Sequence, residues 1–214
     1  WGPTQQGLEA IRDVLKPWGD ELRPAWADED DNGPLFGDPN EGATHRKGVE
    51  IAGNLFPRMA WAYDLDRPGN PRYGIEWYPT DRDGRACHDL HVDTHERMTD
   101  VGVEVITNSN NKDRLVEKWK RLQAESRTTF WIFDTRETAC RLWNELDYRS
   151  VFYLDGQFRK HGNWSSQAIN RKLWRSSNTY RQEPAGDIVQ TVTGLLEGGR
   201  ETVQDLFEEY YSTK

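Results

Sequence analysis

The chain has 214 residues, 35% of them hydrophobic, with 10 Trp, 8 Tyr and 7 Phe. That many rings exclude a disordered chain and predict an aromatic core, in one domain with an appendage or in two small ones. A net charge of −8 excludes a protein that grips nucleic acid or membrane by global charge, so any nucleic-acid site has to be a local basic patch.

In chain order, Leu8, Ile11 and Leu15 recur at helical spacing until Pro17 stops the helix. The opening TQQGLEAI resembles the junction between the last strand and the trailing helix of a winged-helix domain, which implies that the chain continues an upstream segment. Residues 28–42, DEDDNGPLFGDPNEG, are acidic and rich in Gly and Pro, as in a linker. Thr44 is a candidate cap for a helix over 45–59, whose apolar arc is Val49, Ile51, Ala52, Leu55, Phe56 and Met59. MAWAYDL (59–65) and YGIEWYP (73–79) read as strands around a turn. HDLHV and VGVEV, within 88–108, read as a hairpin. A helix over 110–122 turns Leu115, Trp119 and Leu122 inward, and TTFWIFDT (128–135) reads as a strand buried on both faces. A helix over 136–146 and a strand over 150–156 follow. Beyond 157 come a polar, basic stretch and two helices, at about 186–196 and 199–211.

This order predicts an α/β fold, a mixed central sheet flanked by helices with a C-terminal helical extension. The expected division is 1–43 for the N-terminal helix and linker, 44–156 for the core, and 157–214 for the basic segment and last helices. Cys87 and Cys140 have no metal-type spacing. With no apolar run near the ~20 residues of a membrane span, the expectation is a soluble, cytoplasmic protein with no membrane partner. Eight Lys against 20 Arg, with many acids, resembles a salt-adapted proteome.

The hairpin carries the chemistry. Asp89 and Glu104 each stand in an apolar strand, and antiparallel pairing brings them side by side. Two carboxylates with the Val105 carbonyl suit Mg²⁺ (or Mn²⁺), which neutralises phosphate charge and supplies a nucleophilic water. The plainer alternative is that Asp89 caps a turn and Glu104 is solvated.

The succession over 45–155 resembles the PD-(D/E)XK nuclease superfamily (restriction-endonuclease-like). HDLHV stands where the first motif would, with His88 for proline, and VGVEV where the second would. The resemblance implies Asp89 and Glu104 as metal ligands, with Glu50 as a third acid from the first helix. It also implies a lysine two residues after the glutamate, where this chain has Ile106. Lys112 and Lys118, on the following helix, are the candidate replacements. His45 falls near the apolar arc of its helix, where packing or capping is expected. His88, His91 and His95 do not make a zinc site, because alternation puts His91 on the opposite face from His88.

A separate stretch, 158–181, carries Arg159, Lys160, Arg171, Lys172, Arg175 and Arg181 with no acid, interleaved with Trp164, Trp174 and Tyr180. Such a composition grips phosphates and meets unstacked bases. In the plainer reading the rings fill the core and the arginines pair with the acidic surface. The expected function is a metal-dependent DNA endonuclease, or a derivative of one, from a mobile element or defence system, with DNA and a second copy of the chain as candidate partners. Two alternatives stand beside it: a non-catalytic DNA-binding replication or plasmid-maintenance factor, and a structural or virion-associated protein.

Overall fold

A computed structural model describes residues 41–63, 75–79, 88–92, 101–124, 128–180 and 187–213, with the backbone alone for a few positions within these segments. The expected N-terminal helix, most of the linker and the turn at 66–72 lie outside them, as do Cys87, His95 and Arg181.

Helix α1 runs Ala43–Tyr63 and absorbs the first five residues of the expected strand at 59–65. Met and Ala are good helix formers, and a short apolar run does not by itself distinguish helix from strand. Strand β1 is Ile75–Trp77, β2 is Leu90–Val92 and β3 is Val101–Ile106. Helix α2 (Lys112–Ala124) leads to β4 (Thr128–Phe133), and α3 (Arg136–Tyr148) follows, capped by the Thr135 side chain on the Thr138 amide. After a short 3-10 turn (His161–Asn163) come α4 (Ser166–Tyr180), β5 (Asp187–Thr191) and α5 (Val192–Ser212), which is kinked at Gly199.

The five strands form one sheet in the order β1-β2-β3-β4-β5. The first three pair antiparallel, and β3, β4 and β5 pair parallel, so the fold is α/β with a mixed sheet flanked by helices. Helices α1 and α5 cover one face, where Phe56 meets Phe130 at 4.9 Å and Phe207 at 6.3 Å between ring centroids. On the other face Trp131 meets Trp143 of α3 at 6.2 Å. The aromatic core expected from composition is therefore present on both sides of the sheet.

Two expected elements are different. Residues 150–156 form no strand: Ser150 takes a left-handed φ of 56°, and Phe152 instead fills the gap between Trp143 and Trp119. Its apolar character serves helix packing. Conversely, Asp187–Thr191 is a strand where a helix was expected, because β5 passes straight into α5 with Thr191 as cap, bonding the Gly194 amide at 3.0 Å. A strand and a helix joined without a loop read as one apolar run. The pairing of β5 with β4 also ties residues beyond 156 into the core sheet.

The outer edge of β5 is closed by α4. The Asn170 side chain accepts from the Val189 N–H at 2.7 Å and donates to the Val189 carbonyl at 2.9 Å, which satisfies edge groups that would otherwise be open to pairing. Among the described residues, no helix is long and apolar enough to cross a membrane.

Candidate metal centre

Asp89 lies one step beyond Leu90 in the β2–β3 register, in which Leu90 pairs with Val103, so it falls opposite Glu104. Its backbone N–H bonds the Val103 carbonyl at 3.0 Å, and its Oδ2 accepts the Val105 N–H at 2.7 Å. The carboxylate thus replaces a rung of the ladder and is held against β3. Glu104 points from the middle of β3 and is 2% exposed; Asp89 is 4% exposed. Both members of the pair are buried, which rules out the solvated alternative for Glu104.

Lys118 provides the cation. It stands on α2 beside the stripe of Leu115, Trp119 and Leu122, all three buried. That position carries its stem inward, and Nζ lies 2.5 Å from Glu104 Oε1. The second oxygen, Oε2, is buried with no hydrogen-bond partner among the described residues. Lys112 is exposed at the first residue of α2, so the helix delivers one of the two candidate lysines to the carboxylates.

On the other face, α1 approaches β3 closely: a Cβ at Gly48 would lie 2.7 Å from Val105 Cγ1. The absent side chain lets the start of the helix reach the hairpin. His45 is buried there, with Nε2 3.3 Å from Asp89 Oδ2 and 3.1 Å from Glu41 Oε2. Glu41, His45 and Asp89 each offer a ligand atom, all within 4.8 Å of one another. His45 was expected to pack or cap, and Glu41 was assigned to the linker. A polar residue on an apolar helical arc, with an acid four positions earlier, is the signal that would have found them. Glu50, the expected helix-derived acid, is half-buried and lies five residues from His45, well round the helix from it. The side chains that stand beside Asp89 are those of His45 and Glu41.

Burial and the second carboxylate, Asp89, push the Glu104 acid up to about 8, against the opposing pull of Lys118 and His45. Burial also disfavours ionisation of Asp89, but the His45 hydrogen bond, the Lys118 charge and the Val105 amide together hold it below the usual carboxylate range. Burial opposes protonation of His45 and Lys118 as well. Asp89 and Glu41 outweigh it for His45, and Glu104 and Asp89 outweigh it for Lys118, so both bases are raised. The cluster is a set of strongly interacting charges in a low-dielectric interior.

His88 and His91 stand elsewhere on the hairpin. The His88 ring lies over Gly102, where a Cβ would come 2.2 Å from Nε2, and contacts Thr129 Oγ1 at 3.4 Å. His91 sits on β2 opposite Gly102.

The basic segment forms a surface separate from this centre. Arg159, Lys160 and Arg175 are exposed and Lys172 is half-buried. Arg171 pairs with Glu209 at 2.6 Å. Trp174 is 3% exposed and donates its indole N–H to the Asp187 carbonyl, so it belongs to the core and does not contact nucleic acid. Trp164 is half-buried at the surface. The plainer reading of this stretch therefore holds for Trp174 and Arg171.

Compared with known proteins, the chain matches no family model, no curated sequence and no solved structure.

Proposed function

We propose that this protein is a metal-dependent phosphodiesterase acting on DNA, of the restriction-endonuclease-like type. The observation that carries the reading is the meeting of Lys118 with Glu104 beside Asp89. It supplies, from α2, the cation missing at Ile106. An antiparallel strand trio continued by a parallel strand, with the acids on adjacent strands, is in keeping with that type.

The donor set suits a divalent ion. Glu104 Oε2 is buried without a hydrogen-bond partner among the described residues, and the Asp89 and Glu41 carboxylates flank His45 Nε2 at 3.3 and 3.1 Å. Because Val105 turns its N–H toward Asp89, strand geometry sends its carbonyl to the same edge. A bound ion neutralises charge building on the phosphate and lowers the pKa of an attacking water. The converging group of Glu41, His45 and Asp89 offers two carboxylates, which favour Mg²⁺ or Mn²⁺, and an imidazole, which tilts the choice to Mn²⁺. Lys118, held protonated beside the acids, orients the water and the phosphate oxygen. Asp89 anchors the set through Val105. All of these groups come from one chain, so cutting one strand requires no second copy.

The test is a melting curve in EDTA, Mg²⁺ and Mn²⁺, followed by incubation with supercoiled plasmid. Mn²⁺ is expected to raise the melting temperature, because it binds the folded state alone, and to support nicking. Glu104→Gln removes both responses. A melting curve indifferent to millimolar Mn²⁺ overturns the metal centre. Tight DNA binding with no cleavage under any divalent ion would instead favour the non-catalytic DNA-binding factor.

A further inference from the structure

A cavity of about 350 Å³ opens at the surface of α4, walled by Trp164, Gln167, Arg171, Lys172, Arg175 and Asp155 among others. Its position follows from the way α4 closes the sheet. Asn170 faces β5, and counting about 100° per residue from it puts Arg171, Arg175 and Lys172 at about 100°, 140° and 200°, on the outward side of the helix. Two strand spacings and one helix diameter separate that face from β3, on the order of 20 Å. The cavity is therefore not where the reacting phosphate sits.

Its walls are fixed in place. The Trp164 indole N–H bonds the Arg159 carbonyl at 2.8 Å, and the ring meets Phe158 edge-on at 4.9 Å. Asn144 clamps Phe158 from below, bonding both its N–H (2.7 Å) and its carbonyl (2.9 Å). Lys172 Nζ bonds the Asp155 carbonyl and lies 5.6 and 5.8 Å from the Phe158 and Trp164 ring centroids. Glu209 holds the Nε of Arg171. Beside the cavity, Lys160 takes a left-handed φ of 49° at the start of the 3-10 turn, next to the exposed Arg159. In an acidic chain this is a preorganised basic hollow with one aromatic wall.

We infer that this cavity receives an unpaired nucleotide of the DNA, its base against Trp164 and its flanking phosphates on Arg175, Lys172 and the Arg159–Lys160 turn. The inference rests on the reading of DNA as substrate and narrows it to DNA that carries a single-stranded stretch, end or branch. A closed duplex keeps its bases stacked and offers a concave aromatic pocket only phosphates. An unpaired base has a free face, and stacking it on an aromatic ring adds to the charge contacts whatever the base.

Fluorescence anisotropy in EDTA, with no cleavage to confuse it, tests this on the intact chain. The probes are an oligo-dT strand of about 12 nucleotides, an abasic strand and a blunt duplex of the same length. The oligo-dT strand is expected to bind about tenfold or more tighter than the other two, and Trp164→Ala to remove that advantage while Trp164→Phe keeps most of it. Equal affinity for all three probes, or preference for the duplex, overturns the inference; so does no binding of the oligo-dT strand at low salt. The abasic comparison uses wild-type protein and is unaffected if Trp164→Ala fails to fold. Because the assay contains no metal, its failure leaves the catalytic reading standing, and failure of the metal test leaves this one standing.

Discussion

Asp89, Glu104 and His45 are buried and engage one another and the half-buried Lys118, whereas Arg159, Lys160 and Arg175 are exposed on the far side of the sheet edge. The contrast is one of dielectric. In the interior each charge strongly shifts its neighbours, so Glu104 is raised to about 8 while Asp89 is lowered. At the surface, water and salt screen each charge, and effect comes from number and arrangement. Chemistry is expected from the first group and affinity from the second.

The largest effect that could break this division is on cleavage. Lys118→Ala is expected to slow DNA nicking by ~10² or more, as for loss of a positioning or proton-transfer group, with DNA binding retained. Asp89→Asn should do at least as much. Nicking at the wild-type rate in Lys118→Ala would detach the buried cluster from catalysis.

Next comes the response of stability to pH in EDTA. Glu104 has a folded-state pKa near 8, above the ~4.3 of an unfolded chain, so the folded state holds its proton more tightly. Its contribution is therefore full at low pH and is lost as pH rises from about 4.5 to about 8, with Asp89, His45 and Lys118 as the charges that face it. Denaturant melts of Glu104→Gln should lack this decline and gain on the wild type as pH rises. Parallel stability profiles for the two proteins would mean that Glu104 titrates normally.

Salt sharpens the other half. Binding through phosphates should weaken steeply with added salt, and neutralising Arg159, Lys160 and Arg175 together should reduce the log–log slope by roughly 2 to 3. An unchanged slope in a salt titration would move the DNA surface elsewhere. The smallest effect expected is on folding: Arg171→Ala breaks a surface pair with Glu209 and should cost under ~1 kcal/mol in a denaturant melt. A loss of several kcal/mol would show that surface pairing on α4 behaves like the interior.

Much of this was legible without coordinates. Alternation in HDLHV and VGVEV places Asp89 and Glu104 on adjacent strands, and the stripe of Leu115, Trp119 and Leu122 points α2 inward with Lys118 upon it. The pattern failed where one residue type serves two purposes. Phe152 and Leu154 look like strand residues but pack around helices, and Ile188 and Val189 look helical because Val192 and Leu195 follow without a break. Trp174 read as a base-stacking ring because it stands among arginines, yet its helical position turns it into the core.

What the amino-acid order determined alone is the set of local periods: which strands carry an acid, which helix carries a lysine beside its apolar stripe, and where basic charge outweighs acid. Only the tertiary structure decided which of those groups meet. His45 and Glu41 reach Asp89 because Gly48 lets α1 settle on Val105, and Lys118 rather than Lys112 reaches Glu104 because it is the one positioned over β3. Periodicity describes one element at a time, while a charge cluster depends on how close two elements approach, and that distance is set by the packing of side chains far apart in the chain.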